Sequence, residues 1–268
     1  NNTWTQVGSD IDGEAAGDGS GESISLSADG SIVAIGANGN DGNGSESGHV
    51  RIYKNINNTW TQVGSDIDGE AKDDGLGYSV SLSADGSIVA IGAPYIDGNG
   101  SYSRQVRVYQ NVNNSWIKVG NDINGEAAGD GEGTGDGNTV SLSADGSVVA
   151  IGAPFNDGNG TNSGHVRIYQ NVNGIWTQVG SDIDGEAAGD RSGETVSLSA
   201  DGSVVAIGAL WNDDNGSNSG HVRVYKINLD TTAPSAPTSL TNTSEGNDTT
   251  PKITGTAEVG STVKLYNG

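Results

Sequence analysis

Residues Trp4–Asn55 read WTQVGSDIDGEAAGDGSGESISLSADGSIVAIGANGNDGNGSESGHVRIYKN, and the pattern restarts at Trp60, Trp116 and Trp176, at steps of 56, 56 and 60 residues. Trp4–Asp18 and Trp176–Asp190 are identical letter for letter. Each unit holds four strand-like runs, named here by position. Run d is Trp4–Gly8, run a Ser23–Ser27, run b Ile32–Gly36 and run c His49–Tyr53. Runs a and c alternate apolar and polar residues with a period of two, which places successive side chains on opposite faces of a strand. Run b is apolar at every position, as a strand covered on both faces requires. No stretch has helical periodicity.

The connections are as regular as the runs. Ala28-Asp29-Gly30-Ser31 joins a to b as a tight hairpin, because glycine accepts the positive φ of such turns. An Asn-rich turn at Lys54–Asn58 joins c to d, a Gly/Asn/Asp loop joins b to c, and a long acidic loop joins d to the next a. The third unit carries four extra residues in this last loop, within Gly131–Asn138. One four-stranded meander of about 50 residues cannot bury both of its faces, so neighbouring units must stack. The expectation is therefore an all-β propeller of four-stranded blades, at about 4–59, 60–115, 116–175 and 176–230 within a region 1–230. Run d of the first unit has no a, b or c before it, and the last unit lacks a d. Trp4–Gly8 either completes the last blade and closes the ring or belongs to a blade preceding this stretch, and the sequence leaves both open. Thr231–Thr241, rich in Pro, Thr and Ser, reads as a linker, and 242–268 contains two further strand-like runs, around Lys252–Gly255 and Thr262–Tyr266.

The chain has 34 acidic and 12 basic residues, a net charge of −22. Duplex nucleic acid and anionic membrane surfaces need Lys and Arg to displace counterions, and both are excluded as partners. Glycans, other surface proteins and further copies of the chain remain. There is no Cys, hence no disulfide framework or thiolate chemistry, and no apolar run long enough to insert in a membrane. With no Met, the stretch reads as a mature or trimmed piece of a secreted or surface protein.

Strand order places the b–c and d–a loops at one end of each unit and the short turns at the other. The acidic residues of the loop end are candidate ligands for a hard cation, calcium, because alternating oxygen donors followed by Gly suit one. They are Asp10, Asp12, Glu14 and Asp18; Asp66, Asp68, Glu70 and Asp74; Asp122, Asn124, Glu126 and Asp130; and Asp182, Asp184, Glu186 and Asp190. In the b–c loops, Tyr95, Phe155 and Trp211, with Asp97, Asp157 and Asp213, form a candidate ligand or glycan platform. His49, His165 and His221 begin run c where the second unit has Gln105, and that exchange marks them as structural. Arg51, Arg107, Arg167 and Arg223 are expected to pair with acidic neighbours across strands.

Gly77–Pro94, GYSVSLSADGSIVAIGAP, followed by G-x-V-x-V/I-Y, resembles the FG-GAP repeats of integrin-α-like propellers, closest to the bacterial branch. Gly92-Ala93-Pro94 and Gly152-Ala153-Pro154 match the GAP element; Gly36-Ala37-Asn38 and Gly208-Ala209-Leu210 keep its first two residues. Leu76-Gly77 and Ser192-Gly193 stand where the family has FG. The resemblance implies a propeller, often seven-bladed. Calcium-binding members carry a D-x-D-x-D-G loop between a and b, which here has shrunk to one aspartate per turn (Asp29, Asp85, Asp145, Asp201), too few oxygens for calcium. The stretch 242–268 resembles the start of a bacterial immunoglobulin-like module. No nucleophile elbow, phosphate loop or zinc spacing is present, and near-identical units offer the same groups around a ring. The expectation is a non-enzymatic adhesion or assembly module at the bacterial cell surface, calcium-stabilised, with a glycan-binding propeller or a filament protomer as alternatives.

Overall fold

The computed structural model describes residues 3–94, 105–125, 139–229, 238–242 and 253–256. No helix forms among them; all regular structure is antiparallel sheet. The chain divides into two units, Asn1–Asn228 and Leu229–Gly268.

The first unit contains four sheets in chain order. Sheet 1 is β1 (Ser23–Leu26), β2 (Ile32–Ala37), β3 (His49–Ile56) and β4 (Thr59–Gln62), with a short β5 (Ile67–Asp68) pairing with the start of β3. Sheet 2 repeats this as β6 (Ser79–Leu82), β7 (Ile88–Ala93), β8 (Gln105–Val112), β9 (Ser115–Lys118) and β10 (Ile123–Asn124). Sheet 3 is β11 (Thr139–Leu142), β12 (Val148–Ala153), β13 (His165–Val172), β14 (Ile175–Gln178) and β15 (Ile183–Asp184). Sheet 4 has three strands, β16 (Ser192–Leu198), β17 (Val204–Ala209) and β18 (His221–Lys226). Runs a, b and c thus become strands as their alternation predicts. The c–d hairpin of sheet 1 turns on Asn57 and Asn58 at φ 52° and 66°, the two consecutive left-handed residues of a type I′ turn, which is why asparagine recurs there.

The cores lie between sheets, not within them. Ala34, Val50, Ile52 and Ile67, in sheet 1, pack on Val80, Leu82, Val89 and Ile91 of sheet 2 and on Leu76 just before it. Ala90, Val106, Val108 and Ile123 of sheet 2 pack on Leu142, Val149, Ile151, Tyr169 and Trp176 of sheet 3. Strand β7 feeds both clusters, Val89 and Ile91 on one face and Ala90 on the other, which explains the unbroken apolar run b. Three further series of contacts link successive segments of the chain. The N–H of Leu82, Leu142 and Leu198 donates to the hydroxyl of Ser25, Ser81 and Ser141 in the preceding sheet. The turn amides of Ala28, Ala84 and Ala144 donate to the carbonyls of Ala84, Ala144 and Ala200. The indoles of Trp60, Trp116 and Trp176 donate to the carbonyls of Val7, Val63 and Val119.

Ring closure by the N-terminal strand is not realised. Trp4–Gly8 forms no strand, and β18 has no fourth partner among the described residues. The segment instead lies against sheet 1: Val7 accepts the Trp60 indole, and Gly8 N–H donates to Asn58 Oδ1. This is the relation that Val63 and Val119 bear to Trp116 and Trp176, so the segment occupies the place of an outer strand preceding sheet 1.

In the second unit, β19 (Thr238–Asn242) pairs antiparallel with β20 (Ile253–Thr256) across a register shift between Thr238 and Thr241. Strand β19 overlaps the end of the stretch expected as a linker. The run around Thr262–Tyr266 lies outside the described residues.

Candidate functional site

At the loop end, each described b–c loop is organised by its own side chains. Asn40, Asn156 and Asn212 accept backbone N–H from Gly42, Gly158 and Asp214, and Asp41, Asp157 and Asp213 accept from Glu46, Asn162 and Asn218. The first three are Asx turns, which Asn forms because its short side chain mimics a backbone carbonyl; the aspartate bonds reach five residues on and close the loop. The b–c loop is then joined to the d–a loop. Asn43 and Asn159 donate to the carbonyls of Gly69 and Gly185, and Asp73 and Gly189 N–H donate to Ser45 and Thr161. The loop end is therefore a set of internally bonded pairs.

The acidic candidates fall into distinct environments. Asp18, Asp74 and Asp190 are buried turn caps: they accept N–H from Ala15, Ala71 and Ala187, and Asp18 and Asp190 also accept from Asn40 and Asn212. Asp10, Asp66 and Asp182 accept the amides of Gln6, Gln62 and Gln178 four residues earlier, and Asp122 accepts Lys118 Nζ at 2.8 Å. Glu14, Glu70 and Glu186 reach Arg51, Arg107 and Arg223 at 3.5, 2.9 and 3.6 Å. The same arginines' counterparts Arg51, Arg167 and Arg223 donate to the carbonyls of Asp12, Asn124 and Asp184 in the preceding connection. These arginine partners come from the loop preceding each sheet, while Arg107 also lies 3.6 Å from Asp122, beside β10 of its own sheet. Glu126, Asp130, Tyr95 and Asp97 lie outside the described residues.

The histidines gather the remaining carboxylates. Strand β5 lays Asp68 opposite His49, and β15 lays Asp184 opposite His165. His49 Nδ1 stands 3.9 Å from Glu14 and 3.8 Å from Asp66; His165 Nδ1 stands 3.6 Å from Asp182; His221 Nδ1 stands 3.6 Å from Glu186 and 3.8 Å from Asp214. Glu14/His49/Asp66, His165/Asp182/Asp184 and Glu186/Asp214/His221 each bring three ligand atoms within 4.8 Å of one another. Asp68, beside them, has its pKa raised, chiefly by burial and then by the charges of Asp66 and Glu14, with His49 opposing. Sequence reasoning treated the histidines singly, as structural. The two-residue strands that carry their partners are too short to leave an alternation. Imidazole plus carboxylate is a donor set for a zinc-class ion; calcium needs six to eight oxygens, and here a nitrogen and nearby arginines stand in their way.

The aromatic candidates carry a stacked cation. Arg191 lies between Phe155 and Trp211, 4.7 Å and 4.9 Å from their ring centres, within cation–π range. The equivalent positions hold Gly19 and Gly75. Arg191 was legible as the residue at which the identity with Trp4–Asp18 stops. Trp211 keeps its other face toward solvent.

Among the described residues no helix is long and apolar enough to cross a membrane. An FG-GAP repeat is found at residues 181–225, which runs from the d–a loop through β18. No curated protein matches the chain. Solved structures give a β-propeller-like fold. A candidate 6-phosphogluconolactonase from Bacteroides uniformis aligns at TM-score 0.50 and 14% identity over 77% of this chain and 50% of that one. The hydrazine synthase of Kuenenia stuttgartiensis aligns at 0.47 and 12%, over 76% of this chain and 50% of that one. The periplasmic gluconolactonase of Pseudomonas aeruginosa aligns at 0.46 and 13%, over 88% and 65%. The chain spans about half the length of the first two of these proteins. The expectation of a non-enzymatic chain is thereby corrected: the neighbour that aligns at TM-score 0.50 is named as a 6-phosphogluconolactonase, which is an enzyme. That expectation rested on the sameness of the units, whereas Gln105, Phe155, Arg191 and Trp211 already make the loop ends of successive units unlike.

Proposed function

We propose that residues 3–228 are consecutive propeller blades of a protein of the bacterial cell exterior, serving recognition and assembly, with the loop end as the working side. Residues 242–268 then belong to an immunoglobulin-like module. The observation that supports this most is the repeated bonding of b–c loop to d–a loop, Asn43 to Gly69 and Asn159 to Gly185. Such bonding holds a surface rigid before any ligand arrives, which lowers the ordering cost of binding. The ligand class that fits is a polar glycan or another surface protein: the net charge of −22 repels polyanions, and Trp211 with Arg191 offers a flat face with hydrogen-bond donors. A glycan and surface-protein array tests it. Binding that falls at least tenfold in Trp211→Ala and Arg191→Gly supports the reading. Absence of binding together with hydrolysis of a gluconolactone would replace it with a catalytic one.

A second reading follows from the histidine clusters. A divalent cation would enter at Glu14/His49/Asp66 and its counterparts, and would tie a connecting loop to the sheet that follows it. A ligand held only by the folded chain raises its melting temperature. Zinc should raise Tm, calcium much less, and His165→Gln should remove part of the zinc effect; a larger response to calcium than to zinc would contradict the donor chemistry.

A further inference from the structure

We infer, resting on the glycan reading proposed above, that the loop end between sheets 3 and 4 takes an acidic sugar. The guanidinium of Arg191 binds the carboxylate of one uronate at the end of an otherwise neutral glycan.

The fold does not need an arginine at this place. Arg191 follows Asp190 where Gly19, Gly75 and Gly131 follow Asp18, Asp74 and Asp130. The backbone is the same with glycine: φ is 66° at Gly19, 61° at Gly75 and 54° at Arg191. The Arg191 N–H donates to the Asn162 carbonyl as the Gly75 N–H donates to that of Glu46. This left-handed conformation suits glycine and strains a residue that carries a Cβ. The last unit therefore holds strain that its sisters avoid, and strain of this kind gathers at ligand sites.

The guanidinium is fixed in place but its donors are not engaged. Its Cζ lies 4.7 Å from the Phe155 ring centre and 4.9 Å from that of Trp211, one ring from the b–c loop of the third unit and one from that of the fourth. Stacked rings cover the faces of the plane and leave its rim, where the five N–H donors point. Arg51, Arg107 and Arg223 direct theirs to Glu14, Glu70 and Glu186, and Arg167 donates to the Asn124 carbonyl. The Arg191 side chain makes no hydrogen bond or ion pair among the described residues. The carboxylates of the two loops are held elsewhere. Asp190 accepts from Ala187 N–H and Asn212, Asp157 from Asn162 N–H, and Asp213 from Asn218 N–H.

A guanidinium with covered faces and an open rim fits a planar partner that accepts two N–H bonds in its own plane. A carboxylate is that partner. The main chain around it is already bonded, Arg191 N–H to Asn162, Trp211 N–H to Asp190 and Asn212 N–H to Ala209. Recognition is thus left to side chains and a ring face, which suits a sugar better than a peptide strand. Trp211 is 44% exposed and supplies that ring, apolar on its face and with an indole N–H at its edge.

Charge limits the number of carboxylates. The chain carries −22. One carboxylate on Arg191 gains a close ion pair, while every further one meets only the repulsion of the surrounding surface. A terminal uronate on a neutral glycan satisfies this, and a polyuronate does not. A phosphate ester, close to doubly charged at pH 7, meets more of the same repulsion.

The test is binding of the full chain to a glycan array carrying terminal glucuronate, galacturonate, mannuronate and iduronate. Each is printed also as its methyl ester, as the neutral hexose and as the hexose 6-sulfate, beside polyuronates of the same sugars. The expected result is that at least one uronate binds at least tenfold more tightly than its own ester, hexose and sulfate. Arg191→Gly and Arg191→Lys should each erase that ratio. Arg191→Gly restores the residue of the sister units, so its Tm should not fall, and lost binding is then not lost folding. Equal binding of uronate, ester and hexose overturns the inference and leaves the glycan reading standing, whereas no binding to any sugar overturns both. A ratio that survives in Arg191→Lys overturns the two-bond geometry. Tighter binding of a polyuronate or a sulfate than of any terminal uronate overturns the single carboxylate.

Discussion

The junction between sheets 2 and 3 and the outer faces of sheets 1 and 4 are made from corresponding residues, yet within this chain the first is covered and the others are exposed. At the junction Val106 and Val108 pack on Leu142, and Ser81 accepts the Leu142 N–H. On the outer face of sheet 4 Val222 and Val224 face solvent and Ser197 has no such bond among the described residues. The same sequence thus has two energetic values depending on whether a neighbouring unit is present. Stability belongs to the junctions, as in repeat proteins where each unit contacts only its neighbours. Substitutions at equivalent positions should therefore differ sharply in cost.

The widest difference is expected for tryptophan. Trp176 is buried at 4% exposure and bonded to Val119, while Trp4 is fully exposed. Trp176→Ala should cost about 3–5 kcal/mol in urea unfolding, and Trp4→Ala almost nothing in the single chain. Glycine comes next. A Cβ at Gly152 would lie 2.1 Å from the Gly193 carbonyl oxygen, whereas at Gly208 the nearest atom is the hydroxyl of Thr195, which can rotate away. Gly152→Ala should cost about 1–3 kcal/mol or more as an overpacked junction, Gly208→Ala under about 0.5 kcal/mol; equal costs would break the comparison. Ser81→Ala removes the acceptor for Leu142 N–H and should cost about 1 kcal/mol, against no measurable loss for Ser197→Ala.

The smallest effect is at the short turns. Hydrogen bonds from Ser31 and Ser27 hold the Asp29 pKa at about 2, and those from Ser199 and Ser203 do the same for Asp201. At the interior turns burial opposes the same bonds. For Asp145 it is the largest single influence and pushes upward, but the bonds from Ser147 and Ser143 together still leave the pKa lowered; Asp85 is lowered chiefly by Ser87. A carboxylate with a folded pKa below its unfolded value, near 3.9, contributes stability above that value and loses it as pH falls through the folded pKa. Tm should therefore drop as pH falls from about 4 to about 2, and Asp29→Asn together with Asp201→Asn should flatten that drop.

Much of this was legible in the sequence. Alternation in SISL and HVRIY and the ADGS turn gave the strands and hairpins, because both are set locally by side-chain period and by glycine. The doubly apolar run IVAIG gave the stacking, because a strand such as β7 must feed two cores. What escaped depends on contacts between units. Strands β5, β10 and β15 are two residues long and exist only through pairing with β3, β8 and β13. They carry the carboxylates to His49 and His165, so the clusters could not be read from spacing. Trp4–Gly8 has the composition of a strand, but without a neighbouring c strand it does not become one. Arg191 between Phe155 and Trp211 joins two units, and only the broken identity after Asp190 hinted at it.

The most direct measurement is amide hydrogen exchange of this chain. Leu82, Ala84, Leu142 and Ala144 donate across junctions between sheets and should exchange slowly. Leu26 and Ala200 occupy the corresponding places in sheets 1 and 4 without such a bond among the described residues, and should exchange fast. Equal protection of Leu26 and Ala200 with the other four would contradict the account, because stability would then not belong to the junctions.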